Sequence, residues 1–525
     1  MKRLPVFTAI LIAVIAMLGS IGGLYYTRYG PGLASDSVAY IQGALNLKEG
    51  YGYARFSGDD TRVPITGFPP LYSMVLSVAG LVCADLFQGG RWLNAILFAF
   101  NIGLSGWLVF TYSRSAWFAA LGSLSALVFW GMVLSHAWLM SEGLFIFWLL
   151  LSLLLFSCYF KRGKRLWLAL TGLSVALAIL TRYAGLSLAI TVLLALILFW
   201  RDSWKRRLVD ALLFGGISLL PVMLWIIRNM TLAQTMTNRV VSYYTISYEL
   251  IAAYMHEWTT WLFPAPFNLP WRPRVLLTFS IVLILMVLFV ISQFRRSSYI
   301  KTQGQAHGTI LPQVLLIFIP AYIAVVLINN VFLDATSSIS AIRRFLLPVY
   351  ITLAIAILCM VYYLAWERMP RIWLKMVVLV YILVIILFHG AGSLSNLRST
   401  ELDLGLTNAR RFWGDVVSGL RAIESSRSLI SDNPQLLYVL CGRTAYRAPV
   451  LYNRFTAQYE QDFGMKLDEM RQRIDQGAIL VLFQRYADDV QSVPESENYT
   501  QKITQDLTKL KNYSHATFYV SPNAP

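Results

Sequence analysis

The sequence predicts a polytopic α-helical membrane protein with a small α/β domain at its C-terminal end. Three observations predict this. The 525 residues are 57% hydrophobic and only 14% charged, where water-soluble domains carry about 25% charged residues. Apolar runs of roughly 20 residues, long enough to cross a bilayer as a helix, recur as far as residue 392. The net charge of +17 is also confined to one part of the chain: residues 1–392 hold 29 Lys and Arg against 12 Asp and Glu, and residues 393–525 hold 15 of each.

A basic excess confined to the apolar part suits anchoring charges at a membrane surface and not a nucleic-acid-binding domain. Of the four cysteines, Cys158 and Cys359 fall in apolar runs and Cys83 sits near one, so they read as small hydrophobes. With Cys441 they form no disulfide framework and no zinc spacing.

The first span is read at residues 6–27. Lys2 and Arg3 give it a signal-peptide-like start, but no small-residue cleavage site precedes a soluble mature domain. Further spans are expected at 91–112, 115–136, 141–160, 166–180, 184–201, 208–228, 274–294, 310–330, 344–364 and 373–392, about eleven in all by the length rule. The run 166–180 is short and reads as a broken or half-length helix.

An N-terminus in the cytoplasm places Arg114, Lys161, Arg162, Lys164 and Arg165 in inner loops. The same holds for Arg201 with Lys205, Arg206 and Arg207, for Arg295, Arg296 and Lys301, and for Arg368 and Arg371. That is the pattern of the positive-inside rule. An odd number of spans leaves the C-terminus outside. The expected division is a transmembrane domain at 1–392, with long outer loops at 28–90 and 229–273, and an extracytoplasmic α/β domain at 393–525. In that last part, strands are expected at 436–440, 478–483 and 517–520, and helices near 407–425, 463–476 and 500–511. Both outer loops are rich in aromatic residues and proline, and 70–88 and 241–262 read as interfacial segments.

Chemistry-bearing side chains gather at the outer span ends. Asp36, between Ser35 and Ser37, follows the first span. A carboxylate beside an apolar helix end suits a general base near neutral pH, and equally the cap of a helix over 37–47. Glu142 opens the fourth span; acids there are unusual unless used, although a first-turn carboxylate also suits the helix dipole. Arg182, Arg228, Arg343 and Arg344 all fall on the outer side, against the positive-inside trend. Snorkelling accounts for any one of them; the set favours an anionic headgroup, because guanidinium forks match phosphate oxygens. His256 and Glu257, in the second outer loop, are weak evidence for a metal, and none is indicated. Walker loops, dinucleotide fingerprints and Gly-x-Ser-x-Gly are missing from the sequence, so an activated donor would come from the membrane.

Read in order, the acid of the first loop, Phe68-Pro69-Pro70-Leu71-Tyr72, Ser141-Glu142, Leu180-Thr181-Arg182, residues 221–229 ending in Arg228-Asn229, and Arg344 to Pro348 form a series. The series resembles the type C glycosyltransferases, on the branch of the protein O-mannosyltransferases and the lipid A aminoarabinose transferases. The resemblance covers about residues 1–390. It implies a polyprenyl-phosphate sugar donor and an inverting transfer to an acceptor hydroxyl at the outer face, with no nucleotide sugar and often no metal; no cofactor is indicated. On it, Asp36 would be the base and Glu142 the second acid of the cavity. Arg344, helped by Arg182, would hold the departing lipid phosphate, with Arg343 and Arg228 nearby. Tyr40, Pro70, Tyr72, Asn229, His256 and Glu257 would line the substrate cavity. Two departures stand out. The first-loop motif has one acid where many relatives have two, and the C-terminal part lacks the sugar-binding repeats of eukaryotic mannosyltransferases. The acceptor, whether glycan, lipid or protein, is therefore not implied. A lipid or glycan transporter would instead show charges within its spans, in paired repeats. A polysaccharide polymerase or ligase would share the lipid-linked donor.

Overall fold

The computed structural model describes residues 3–56, 58, 61–83, 85–199, 202–239, 241–263, 270–300, 310–333, 342–367, 371–398, 404–453, 458–483 and 499–522. In chain order the elements are α1 (Arg3–Tyr26), α2 (Ser35–Lys48), β1 (Ala54–Phe56), β2 (Arg62–Pro64), α3 (Leu71–Val82), α4 (Leu86–Ser113), α5 (Ala116–Val128), α6 (Trp130–Ala137), α7 (Glu142–Arg162), α8 (Arg165–Thr181), α9 (Leu186–Phe199) and α10 (Trp204–Ala233). There follow α11 (Tyr248–Leu262), α12 (Trp271–Ile300), α13 (Leu311–Phe332), α14 (Ile342–Val361), α15 (Ile372–Arg398), α16 (Leu406–Phe412), α17 (Gly414–Ala422), β3 (Leu429–Ser431), α18 (Pro434–Cys441), β4 (Tyr446–Arg447), β5 (Tyr452–Asn453), β6 (Gln458–Tyr459), α19 (Phe463–Asp475), β7 (Ile479–Phe483), α20 (Tyr499–Thr504), β8 (Thr508–Asn512) and β9 (Ala516–Val520).

Among the described residues, eight helices are long and apolar enough to cross a membrane: α1, α4, α7, α10, α12, α13, α14 with its continuation to Glu367, and α15. The pair α5 and α6, bent by 58°, makes up to nine. The chain is a multi-pass membrane protein, and the expected count of about eleven is not reproduced by length and composition. The differences have local causes. The run 115–136 breaks at Phe129, whose φ of −73° and ψ of 120° leave the helix. Its ring stacks on Tyr350 of α14, with centroids 3.5 Å apart. The runs 166–180 and 184–201 become helices of 17 and 14 residues, which at 1.5 Å per residue fall short of a 30 Å hydrocarbon core. Of the basic residues used to orient the loops, Arg201, Lys301 and Arg368 lie outside the described residues.

Two compact units divide the chain: residues 1–29, 66–72 and 91–402 form the first, and residues 30–65, 73–90 and 403–525 the second. The first unit is a helical bundle with one large apolar core. At one end of α7, α8 and α10 a fully buried carboxylate, Asp210, accepts hydrogen bonds from the Tyr159 hydroxyl at 2.6 Å and from Arg165 Nε at 2.8 Å. Lys161, Arg162, Lys164, Lys205, Arg206 and Arg207 flank it at the same helix ends. A buried charge survives only when paired in this way. The opposite ends of these helices carry Glu142, Arg182 and Arg228.

In the second unit, five strands order as β4-β3-β7-β9-β8, with β4, β3 and β7 parallel and β9 antiparallel to both β7 and β8. Strands expected at 478–483 and 517–520 form as β7 and β9. Residues 436–440, expected as a strand, instead lie in α18. Pro434 occupies its first turn and Asn433 Oδ1 accepts from Leu436 N at 3.0 Å, a cap-plus-proline start that outweighs the apolar run. The expected helix over 500–511 ends at Thr504 and gives way to β8.

The segment that leads into α2 is stitched to the start of the C-terminal part within this second unit. Leu33 N donates to Leu404 O at 3.0 Å, Leu406 N to Leu33 O at 2.9 Å, and Thr407 Oγ1 to Pro31 O at 2.6 Å. Gly30 precedes this stitch with φ of +121°, where a Cβ would lie 3.2 Å from Thr407 Cγ2. Only glycine adopts that backbone easily and leaves room for the stitch.

Asp432 follows β3, and both its carboxylate oxygens accept from Phe483 N, at 3.2 and 3.3 Å. Burial pushes its carboxyl up to about 7, only partly opposed by those backbone donors. A folded-state value above the unfolded one of about 3.9 means the charged form is penalised on folding. The stability of this unit is therefore greatest below about pH 4 as far as this group is concerned, and falls as pH rises through about 7. Asp432→Asn keeps an acceptor for Phe483 N and removes the charge. It is expected to raise the melting temperature by about 2–4 °C at pH 8 and to leave it unchanged at pH 4, as read by thermal-shift scans of the purified protein across that range. An equal shift at both pH values would contradict the assignment.

Candidate active site

Three helix ends of the first unit bring one carboxylate and two guanidinium groups together. Glu142 is the first residue of α7, preceded by Ser141, and is only 3% exposed. Arg182 ends α8, in an extended conformation (φ −150°, ψ 133°) that turns the chain toward a short 3-10 turn at Tyr183–Gly185. Arg344 lies in the first turn of α14. The three converge on one oxygen: Arg182 Nη1 and Arg344 Nε each lie 2.8 Å from Glu142 Oε1, and Arg182 Nη1 also donates to Ser141 Oγ at 3.1 Å. Glu142 Oε2 is buried without a hydrogen-bond partner.

Electrostatics explains the arrangement. A carboxylate in the first turn of α7 is favoured by the helix dipole, whereas the cation in the first turn of α14 is disfavoured. Glu142 offsets the second cost. Two guanidinium groups against one carboxylate leave the cluster with a net positive charge. The arginine side chains are 18% and 31% exposed and the carboxylate 3%, so the excess charge lies on the more accessible side. A second pair repeats the pattern one residue away: Arg343 Nε and Nη2 donate to Glu257 Oε1 and Oε2 of α11 at 2.9 and 3.2 Å. This bidentate fork ties α11 to α14.

Near the end of α10, Arg228 Nη1 donates to Asn229 Oδ1 at 3.0 Å and lies over the Trp225 ring at 4.8 Å. Asn229, fully buried, donates from Nδ2 to Met236 O at 2.8 Å. The sequence did not single out Tyr183, next to Arg182. Its hydroxyl accepts from Trp225 Nε1 at 3.0 Å and donates to Thr66 O at 3.4 Å. Pro70 is buried. Tyr72 is fully buried too, its hydroxyl 3.5 Å from Asn94 Oδ1. His256 is exposed, and among the described residues no group of three or more His, Cys, Asp or Glu side chains could hold a metal ion.

Asp36 and Tyr40 belong to the second unit. The helix begins two residues earlier than expected, so Asp36 lies in the first turn of α2 and Ala34 takes the cap position. There Ala34 N donates to Ser37 Oγ at 2.9 Å. Asp36 is half-buried, and Tyr40, one turn further along the same face, is 3% exposed. Buried polar groups that the sequence reading passed over are Asn101 on α4 and His136 on α6. They occur singly in apolar runs, where such residues usually serve packing.

An apolar helical bundle followed along the chain by a small mixed sheet is an ArnT-like fold. ArnT from Cupriavidus metallidurans, in the structure bound to undecaprenyl phosphate, matches with a TM-score of 0.61 at 13% identity, covering 98% of each chain. Its apo state matches with a TM-score of 0.59 at 12% identity over the same shares. The Archaeoglobus fulgidus oligosaccharyltransferase tethered with an acceptor peptide gives 0.50 at 11% identity, covering 98% of this chain and 74% of that one. At these identities the likeness is one of fold. The model of the dolichyl-phosphate-mannose-protein mannosyltransferase family matches residues 61–245. No curated protein sequence matches the chain. The family match and the shared fold together bear out the resemblance read from the motifs, to the protein O-mannosyltransferase and aminoarabinose transferase branch of the type C glycosyltransferases.

Proposed function

We propose that this protein is an integral-membrane glycosyltransferase that moves a sugar from a polyprenyl-phosphate donor to an acceptor hydroxyl, with inversion. The observation that carries the reading is the Arg182–Glu142–Arg344 cluster, with its net positive charge, at the helix ends. The family matched over residues 61–245 is named for a dolichyl-phosphate-linked mannose donor, and the ArnT structure holds undecaprenyl phosphate.

In the proposed step, Asp36 takes the proton from the acceptor hydroxyl as its oxygen forms a bond to the anomeric carbon. The bond from that carbon to the phosphate oxygen breaks, and the electron pair leaves with the polyprenyl phosphate, which passes from a diester monoanion to a monoester dianion. Arg344 and Arg182 stabilise that added charge, where donors held in place in advance are most effective. Glu142 acts here as the anion that holds both arginines; Arg343 and Arg228 supply further positive charge. A reaction at the extracytoplasmic face places the N-terminus in the cytoplasm and residues 393–525 outside.

The experiment is a membrane-extract assay with a panel of radiolabelled polyprenyl-phosphate sugars. Consumption of one donor, with release of polyprenyl phosphate, is the expected result and identifies the sugar. A panel of donors that all stay intact, with labelled lipid merely redistributed between leaflets, would replace transfer by transport.

A further inference from the structure

Directly behind Glu142, α4, α6 and α7 meet at His136, a buried titratable side chain that no step of the proposed transfer uses. It is 3% exposed and its ring stacks on Phe98, with centroids 4.8 Å apart. Met132 O lies 2.7 Å from Nδ1, and Asn101 Nδ2 lies 2.8 Å from Nε2. The same Asn101 nitrogen lies 2.8 Å from the carbonyl of Gly143, the residue after Glu142.

These distances fix the protons. A carbonyl only accepts, so Nδ1 of His136 carries hydrogen. Asn101 must present its NH2 group to Gly143 O, because its own carbonyl there would face another acceptor. The second hydrogen of that NH2 group then points to Nε2, which must accept. His136 is held in one neutral tautomer, and Asn101 is committed on both hydrogens. Gly143 is packed against the ring: a Cβ there would lie 2.9 Å from His136 Cδ2 and 3.1 Å from Nε2. The first turn of α7 is thus gripped from two neighbouring helices at the residue adjoining Glu142.

We propose that Asn101 and His136 are positioning residues that hold the first turn of α7 so that Glu142 keeps Arg182 and Arg344 in place. Their bearing on catalysis rests on the function proposed above; the arginine geometry does not. Glu142 meets both arginines through a single oxygen, so a small rotation of the α7 terminus breaks two contacts at once. An apolar side chain at position 101 leaves His136 Nε2 without a donor and removes from Gly143 O the donor it has beyond its own helix, a loss that a buried site relieves by moving.

Arginine reactivity tests this in the full-length protein. Phenylglyoxal labelling, read by mass spectrometry at each arginine, is compared in the wild type, Asn101→Leu, Glu142→Gln and the double variant. Labelling of Arg182 and Arg344 is expected to quicken about fivefold in Asn101→Leu, the factor given by one lost buried hydrogen bond. Adding Asn101→Leu to Glu142→Gln should give no further rise, because the first acts through the second. Arg343, paired with Glu257, serves as the local control and should not change. His136→Gln, which keeps a donor and an acceptor, should stay within about twofold of the wild type, while His136→Phe should match Asn101→Leu. Unchanged labelling, or an equal rise at Arg343, would overturn the proposal, the second by showing general loosening. Labelling that rises as expected while sugar transfer is unaffected would leave the positioning role intact and count against the part given to Arg182 and Arg344 in transfer; the same rise in a protein that transfers no sugar would count against the glycosyltransferase reading alone.

Discussion

Asp36→Asn is expected to abolish most of the transfer activity, by about 10²–10⁴-fold, the range of a lost general base. The substitution is nearly isosteric, and the amide cannot take a proton at neutral pH. Asp36 lies in the first turn of α2, where Ala34 N donates to Ser37 Oγ; the substitution leaves that hydrogen bond in place, so the helix should persist. The loss should fall on kcat with purified protein, membrane insertion and melting temperature being unchanged. Donor binding, measured with a non-transferable polyprenyl phosphate, should also be unchanged. An Asp36→Asn protein that transfers sugar at the wild-type rate would remove Asp36 from the mechanism.

The second large effect belongs to Arg344. Arg344→Gln should lower kcat by about 10²–10³-fold, as when one preorganised donor to a developing charge is removed. Binding of the ground-state donor should weaken less, because the extra negative charge on the phosphate appears only as the bond breaks. Arg344→Lys should recover only part of the rate, since a point charge does not reproduce the fork that reaches Glu142 and a phosphate together. Kinetics with the identified donor test this. An Arg344→Gln enzyme whose KM rises while kcat holds would make the residue a binding contact and not a stabiliser of the leaving group.

Much of this arrangement is legible in the sequence, and the reasons differ from residue to residue. Glu142, Arg182 and Arg344 stand out because charge is scarce in an apolar chain and each lies where a span begins or ends. That they share one carboxylate oxygen is a matter of tertiary packing between residues as distant as 142 and 344, and no local pattern encodes it. His136 and Asn101 escape notice for the opposite reason: each is a single polar residue in an apolar run, the usual look of a satisfied core side chain. In the second unit the misread strand at 436–440 is instructive. Its apolar run has no period to separate helix from strand, and the deciding signal is the Asn433-Pro434 start that precedes it. The central strand β3, only three residues long, is too short to show any alternation. The break at Phe129 is equally hidden, because an aromatic residue in an apolar helix carries no sign of the ring it will stack on.

The stitch between Leu33 and the backbone of Leu404 and Leu406 bears on how such proteins can be recombined. Residues 393–525 look like a detachable module by composition, yet the backbone ladder of residues 404–406 is completed by a strip of chain that precedes Asp36 by three residues. A chimaera that exchanges only the C-terminal part with a relative would sever that ladder and leave Gly30, Pro31 and Leu33 facing a foreign partner. An exchange unit that respects the hydrogen bonds is discontinuous: residues 30–65 and 73–90 must travel with residues 403–525. The hydrogen bonds thus make the loop that carries the acid and the start of the tail one piece of structure.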